Sequence, residues 1–483
     1  APSAAGPRVD EADGVLSVAA GSLVAAFSRA SGLLTGLALH GQELFAAPLE
    51  PNFWRPTTDN DYGAHLQKDF ACWRRAGQTA RLAEGPTVTC GELSAEVEVE
   101  LAVGAGARLR VKYDVSPGGV GLTAEWRPGR DDGPRTAVAG GVAYLRSHQT
   151  SHVDVEGKLV RARWADRGEW QSITVHAAGR DPGQSLRHGD KVALQAVTGK
   201  TEAETLRHGI APTTSAHADL PKGLVGVSVE ATEEPTKPVW TVRRLAGEGD
   251  IVSGDQVVFE AGGAFLAIVN DWGVALQAAE PPSQATFTVE IKEYPAPPRV
   301  GFRGLLHDGF EDVQWFGRGP HESYVDRYVS ARVGLFEGSI LDQTFKYVRP
   351  QENGNKLDTR WMALKRAAGK DASCAGLLIV SQAPSSGLAM QCHRYSLDDF
   401  DGGDDKAKQA CLHAGDLVPR AETAFCVDVA QMGVGGIDSW CSRPLKEHMI
   451  GATQEFDWAF QLRPVTPEDA AAGYGALARR PRR

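Results

Sequence analysis

Leu93–Val103 reads LSAEVEVELAV and Ala107–Val115 reads ARLRVKYDV, and in both stretches apolar side chains occupy every second position. A chain that alternates in this way puts one row of side chains on each face of a strand, so both stretches predict half-buried β-strands. Ser116–Gly119, SPGG, then predicts a hairpin turn, because proline presets φ and glycine tolerates positive φ. The same texture recurs along the chain between 54 glycines and 27 prolines, and a sustained 3.6-residue period is hard to find. The expected fold class is all-β.

With 483 residues the chain can build two or three separate cores. Its hydrophobic share of 42% and charged share of 23% are those of a folded soluble protein. A net charge of −10 gives no support to a nucleic-acid or membrane-surface partner. No window approaches the roughly 18–20 apolar residues of a membrane span. Seven scattered cysteines, never spaced CxxC, argue against structural zinc and against a disulfide framework, while leaving one or two bridges open. The first residue is Ala1, which suggests a processed chain or a piece of a longer one.

Glu125–Arg135, EWRPGRDDGPR, is charged and rich in glycine and proline, and reads as a linker. Beyond it the chain repeats itself. His188–Ala196, HGDKVALQA, resembles Ser253–Ala261, SGDQVVFEA, with the shared Gly-Asp at 189–190 and again 65 positions later at 254–255. Gly140–Leu145 echoes Gly262–Ile268, and EWQSITV, PVWTVRR and ATFTVEI form a third recurring element at 169–175, 238–244 and 285–291. Units that cannot bury a core alone are expected to share one. The pattern resembles a β-trefoil of the fascin type.

Four polar-aromatic blocks stand out: FWRPTTDND (Phe53–Asp61), WFGRGPHESYVDR (Trp315–Arg327), YVRPQENGNKLDTRW (Tyr347–Trp361) and MGVGGIDSWCSRP (Met432–Pro444). Each mixes arginine, carboxylate and aromatic groups around glycine or proline turns. One reading makes Arg55, Asp59, Asn60 and Asp61 a buried polar network that caps strand ends and pairs with Arg318, Glu322 and Asp326, because buried charges must be paired. Direct contact with a sugar and an interface with a neighbouring domain are the other two. Arg349, Glu352 and Asn353 join the network on the same grounds.

In this order, the four blocks resemble the C-terminal small-chain domain of family-two β-galactosidases. The resemblance implies a large antiparallel two-sheet β-sandwich, galactose-mutarotase-like, split into residues 1–128 and 298–464 around a trefoil-like insertion at 129–297, with a flexible tail at 465–483. In that family the catalytic glutamates and magnesium ligands lie in a (β/α)₈ barrel upstream, so the resemblance implies no catalytic residue, cofactor or metal ligand in this chain. Glu322 and Glu352 are the only tempting substitutes, and both sit in motifs that the family uses away from the bond being cut.

The resemblance further implies that Trp440, with Asp438 and Ser439, offers a flat apolar face to a galactoside. One departure weakens this, because Ile437 stands before Asp438 where the family commonly has a second acid; the alternative is a core tryptophan in a strand-end turn. The expected role is therefore a non-catalytic carbohydrate-binding module or small subunit that completes a site on a catalytic barrel of the same enzyme. Its partners would be a β-galactoside or other glycan and that barrel. The alternative is a structural protein whose trefoil binds a glycan, a cytoskeletal filament or another protein partner.

Overall fold

The computed structural model describes residues 6–129, 137, 141–156, 159–164, 171–180, 184–198, 206–212, 225–231, 239–269, 273–278, 283–291, 295–367, 373–403, 406–438 and 442–480. It is all-β, with only short helical turns, and divides into two compact units, Ala1–Arg130 with Tyr294–Arg483, and Asp131–Glu293.

The first unit is a β-sandwich of antiparallel strands. Its nine-stranded sheet runs Arg332–Ser339, Phe310–Gly319, Trp361–Arg366, Gly376–Gln382, Phe456–Val465, Gly119–Arg127, Arg108–Ser116, Ala95–Ala102, Arg81–Cys90. The pairing of Gly119–Arg127 with Phe456–Val465, from Val120 opposite Leu462 to Trp126 opposite Phe456, stitches the two chain segments into one sheet. A five-stranded meander covers Arg8–Glu43, and a second five-stranded sheet runs Lys356–Thr359, Leu388–His393, Thr423–Gln431, Arg299–Leu306, Phe45–Asn52. Asp13–Gly14 and His40–Gly41, all at positive φ, close two-residue turns of the meander with the twist that hairpins need.

The alternation seen in the sequence sets the layers. Val97, Val99 and Leu101 point into the shared core, while Glu96, Glu98 and Glu100 face outward against Lys112, Arg110 and Arg108 at 3.0–3.8 Å. Such exposed pairs contribute little each; burial of the other face holds the sheet. Phe27 of the meander meets Tyr113 edge-on at 5.0 Å, and Phe302 of the second sheet packs against Trp458 and Phe460 at 5.9 Å. Ser116 pairs with Gly119 across the expected turn.

The described part of the expected tail, residues 465–480, includes two short helices. Thr466 caps the helix Pro467–Ala471, and Tyr474–Ala478 follows. Leu477 is buried against Trp361, Leu378 and Val380, so an apolar anchor that the Ala/Arg-rich composition hid fixes this segment.

The second unit has twelve strands among its described residues. Six close a ring through successive pairings: Gly141–Ser147, Ile173–Ala177, Lys191–Thr198, Trp240–Arg244, Gln256–Ala261, Phe287–Ile291 and back to Gly141–Ser147. The other six form three hairpins, His152–Glu156 with Leu159–Trp164, Leu206–Pro212 with Val225–Ala231, and Ala264–Val269 with Gly273–Ala278. The second strands of these hairpins pair with one another in a triangle.

Repeated residues do repeated work here. Ile173, Trp240 and Phe287 open corresponding ring strands, all fully buried in this unit's own core. The two Gly-Asp turns match bond for bond. Asp190 accepts from the Arg187 amide and Arg180 Nε, and Asp255 from the Val252 amide and Arg244 Nε. One cross-strand polar pair marks each third of the ring: His176 with Gln195, Arg243 with Glu260, and Glu290 with Arg146.

Candidate functional site

After the strand Thr423–Gln431 the chain leaves the sheet as Met432–Gly436, where the Met432 and Gly433 amides donate to the Pro298 and His448 carbonyls at 2.9 and 2.8 Å. Side chains satisfy further peptide groups of this loop. Asp326 accepts from the amides of Val434 and Gly435 at 3.1 and 2.8 Å. Arg55 Nη2 donates to the Gly433 carbonyl and Asn60 Nδ2 to the Val434 carbonyl, both at 3.0 Å. Glycine is required by this close approach: a Cβ on Gly433 would sit 2.4 Å from Asp326 Oδ2, and Gly435 and Gly436 have φ of +70° and +86°. The loop continues to exposed Ile437 and to Asp438, which accepts from Ser442 Oγ at 2.6 Å. Ser439 and Trp440 lie outside the described residues.

The block Phe53–Asp61 supplies two of these anchors. Phe53 is core, stacked near Trp126 and Trp73 at 4.6 and 5.9 Å. Trp54 donates to Asp401 at 2.7 Å. Thr58 and Asp61 form a capping box on the short helix Asp59–Gly63. The same Asp61 carboxylate takes a two-pronged bond from Arg55, so one buried acid fixes both the helix start and the arginine. Asp59 turns the other way, to Gln351, Lys406 and Arg349.

Glu322 joins the second and third blocks. It accepts from the Gly354 amide at 2.8 Å, from the Tyr347 hydroxyl and from Arg327. The Ser323 amide donates to the Asn355 carbonyl at 2.8 Å, Asn355 Nδ2 to the Ser323 carbonyl at 2.9 Å and the Leu357 amide to Ser323 Oγ at 3.0 Å, while Asn353 accepts from the Phe345 amide and donates to the Gln351 carbonyl. Arg349 donates to the Lys406 carbonyl at 2.6 Å. Arg318 stands apart: it pairs with Asp358, donates to the Ala331 carbonyl and lies over the Tyr328 ring.

Glu352, named from the sequence, belongs to a buried charged layer whose other members, Arg299 and Asp428, the sequence reasoning missed. Arg299 is fully buried and reaches Glu352 at 3.0 Å, Asp428 at 3.3 Å and Gln391 at 3.2 Å. Burial pushes the Glu352 and Asp428 carboxyls up, Asp428 to about 7, against the pull of Arg299. Burial likewise brings Lys356 down to about 8 and His393 down to about 3, leaving that imidazole neutral. The available signal was Asp428 inside the otherwise apolar strand AFCVDVA (424–430).

Arg55, Asn60 and Asp326 of the first two blocks hold the glycine loop of the fourth, and the third block is tied to the second through Glu322 and to the first through Asp59. Glu352 is buried against Arg299, and the half-buried Glu322 accepts from three donors. Among the described residues no cluster of three or more His, Cys, Asp or Glu is placed to hold a metal ion.

The family model described as the β-galactosidase small chain matches residues 19–174 and 269–462. Among curated proteins, a β-galactosidase of Priestia megaterium is 31% identical over 171 residues, 35% of this chain and 15% of its own. One of Vibrio cholerae is 36% identical over 158 residues, 33% of this chain and 13% of its own. That of Kluyveromyces lactis is 32% identical over 172 residues, again 35% and 15%. The chain thus spans about 15% or less of the length of the curated relatives it matches.

Proposed function

Because the chain belongs to the β-galactosidase small-chain family, we propose that it is a non-catalytic carbohydrate-binding module, completing a galactoside site whose hydrolytic glutamates lie on another segment or chain. One observation carries this reading: Arg55 and Asn60 of the first motif block and Asp326 of the second fasten the glycine loop of the fourth, which leads on towards Asp438, Ser439 and Trp440 in the sequence. A pyranose has one face of C–H groups, which packs on an indole while its hydroxyls bond polar groups at the edge.

The test is reconstitution. A β-galactosidase such as that of Priestia megaterium, trimmed of its matching part, should gain turnover when this chain is added. With Trp440→Ala the chain should still associate, while KM rises by roughly 5- to 30-fold, as loss of about 1–2 kcal/mol of aromatic contact implies. Equal activity with and without the chain would refute the reading.

We further infer that Asp131–Glu293 is a β-trefoil inserted into a galactose-mutarotase-like sandwich. The closed six-strand ring, the three hairpins joined in a triangle and the matched positions Ile173, Trp240 and Phe287 support it. Galactoside hydrolysis does not need such a unit, which favours a second ligand, a glycan or a filament. Pull-down by the full chain, compared with a chain whose 131–293 region is replaced by a short linker, tests this; identical capture by both excludes it.

A further inference from the structure

Arg299, Glu352 and Asp428 are fully buried, so a single guanidinium faces two carboxyl groups where water cannot screen them. Two ionised acids there would leave one negative charge uncompensated, at a cost of several kcal/mol. Among the described residues no other cation is paired with either acid: Arg55 also pulls the Glu352 carboxyl down from a distance, and the buried Lys356 donates to the Gly354 carbonyl at 3.2 Å, near the neutral His393. The Cys426 thiol and Tyr324 hydroxyl are both pushed up by burial and stay neutral, and Gln391 brings an amide. Farther out, Arg55 is claimed by Asp61, and Glu322 by Arg327 and Tyr347.

Asp428 cannot move to relieve the strain. It stands on the strand Thr423–Gln431, paired on both sides by Leu388–His393 and Arg299–Leu306. Its carboxyl lies against Gly301, where a Cβ would come within 2.1 Å of Oδ1. Glu352 sits on a loop, tied on through Gln351 to Asp59 and through Gly354 to Glu322.

We propose that this cluster holds one proton between Asp428 and Glu352, and that its release is a pH-operated latch on the Arg349–Asn355 segment. With the proton in place, Arg299 balances the remaining charge and the loop is drawn down. Without it, Glu352, which stands on a loop rather than in a sheet, is the group that withdraws, and the Arg349–Asn355 segment loosens. The sign follows from burial, which raises Asp428 from 3.8 to about 7. The folded chain keeps a proton that the unfolded chain has released, so this contribution is full below about pH 4 and is lost as pH rises through about 7.

Hydrogen exchange on the chain alone tests this without any galactoside, so its failure is separable from failure of the proposed function. Protection of residues 349–355, expressed relative to the intrinsic rate at each pH, should fall at least about ten-fold between pH 5.5 and 8.5. In Asp428→Asn, whose neutral amide mimics the protonated acid, the profile should be flat. A flat wild-type profile, or an equal fall in Asp428→Asn, overturns the proposal. Should that variant not fold, Glu352→Gln must abolish the fall instead, and an undiminished fall there refutes the latch equally.

Discussion

Arg55 grips Asp61 through two parallel hydrogen bonds, Nη1 to Oδ2 at 2.7 Å and Nη2 to Oδ1 at 3.0 Å, with side-chain exposures of only 2% and 3%. Removing one partner strands the other, so Asp61→Asn or Arg55→Met should each cost about 3–5 kcal/mol. The combined Arg55→Met/Asp61→Leu variant should cost less than the two together, because no buried charge remains. Urea midpoints of the three variants check this.

Gly433 touches the Asp326 carboxylate so closely that any side chain must displace it. Gly433→Ala should destabilise by about 1–3 kcal/mol and release the loop towards Asp438. Gly415→Ala, whose Cβ would meet nothing within 4 Å, should stay within about 0.5 kcal/mol. Thermal unfolding of the pair separates the two outcomes.

Lys356 gives a pH signature of opposite sign to Asp428. Burial brings its amine down to about 8, against about 10.4 in an unfolded chain. Between those values the unfolded chain binds the proton and the folded one does not, so this residue raises stability as pH increases from about 8 to 10. Lys356→Met should lose that rise, roughly 2–3 kcal/mol in the comparison of urea midpoints at pH 7.5 and 10.

Trp240 is fully buried and donates to the Ile210 carbonyl at 2.7 Å. Trp240→Ala should cost about 3–5 kcal/mol. Hydrogen exchange should accelerate in the strands Lys191–Thr198 and Gln256–Ala261, with the strand Gly119–Arg127 unchanged, because the two units have separate cores.

The sandwich was legible because its strands are half-buried: Val97, Val99 and Leu101 against Glu96, Glu98 and Glu100 can only be a two-sided strand. The sequence singled out Arg55, Asp61, Asp326 and Glu322 as polar residues, and each makes side-chain hydrogen bonds in the structure, but it did not show which partners they take. Arg55 takes an acid six residues away, and Arg318 takes Asp358, because strand register and capping decide which groups meet. Arg299 and Asp428 escaped notice, since a charged residue in an alternating strand reads as solvent-facing until the loop that covers it is placed. Leu477 escaped for the converse reason, a single apolar anchor in a polar tail.

The central claim is that this chain shapes a sugar site without carrying the hydrolytic carboxylates. Turnover of a chromogenic β-galactoside by the purified chain measures it directly. The account predicts no hydrolysis above background by the chain alone; robust turnover that disappears in Glu322→Gln or Glu352→Gln would contradict it.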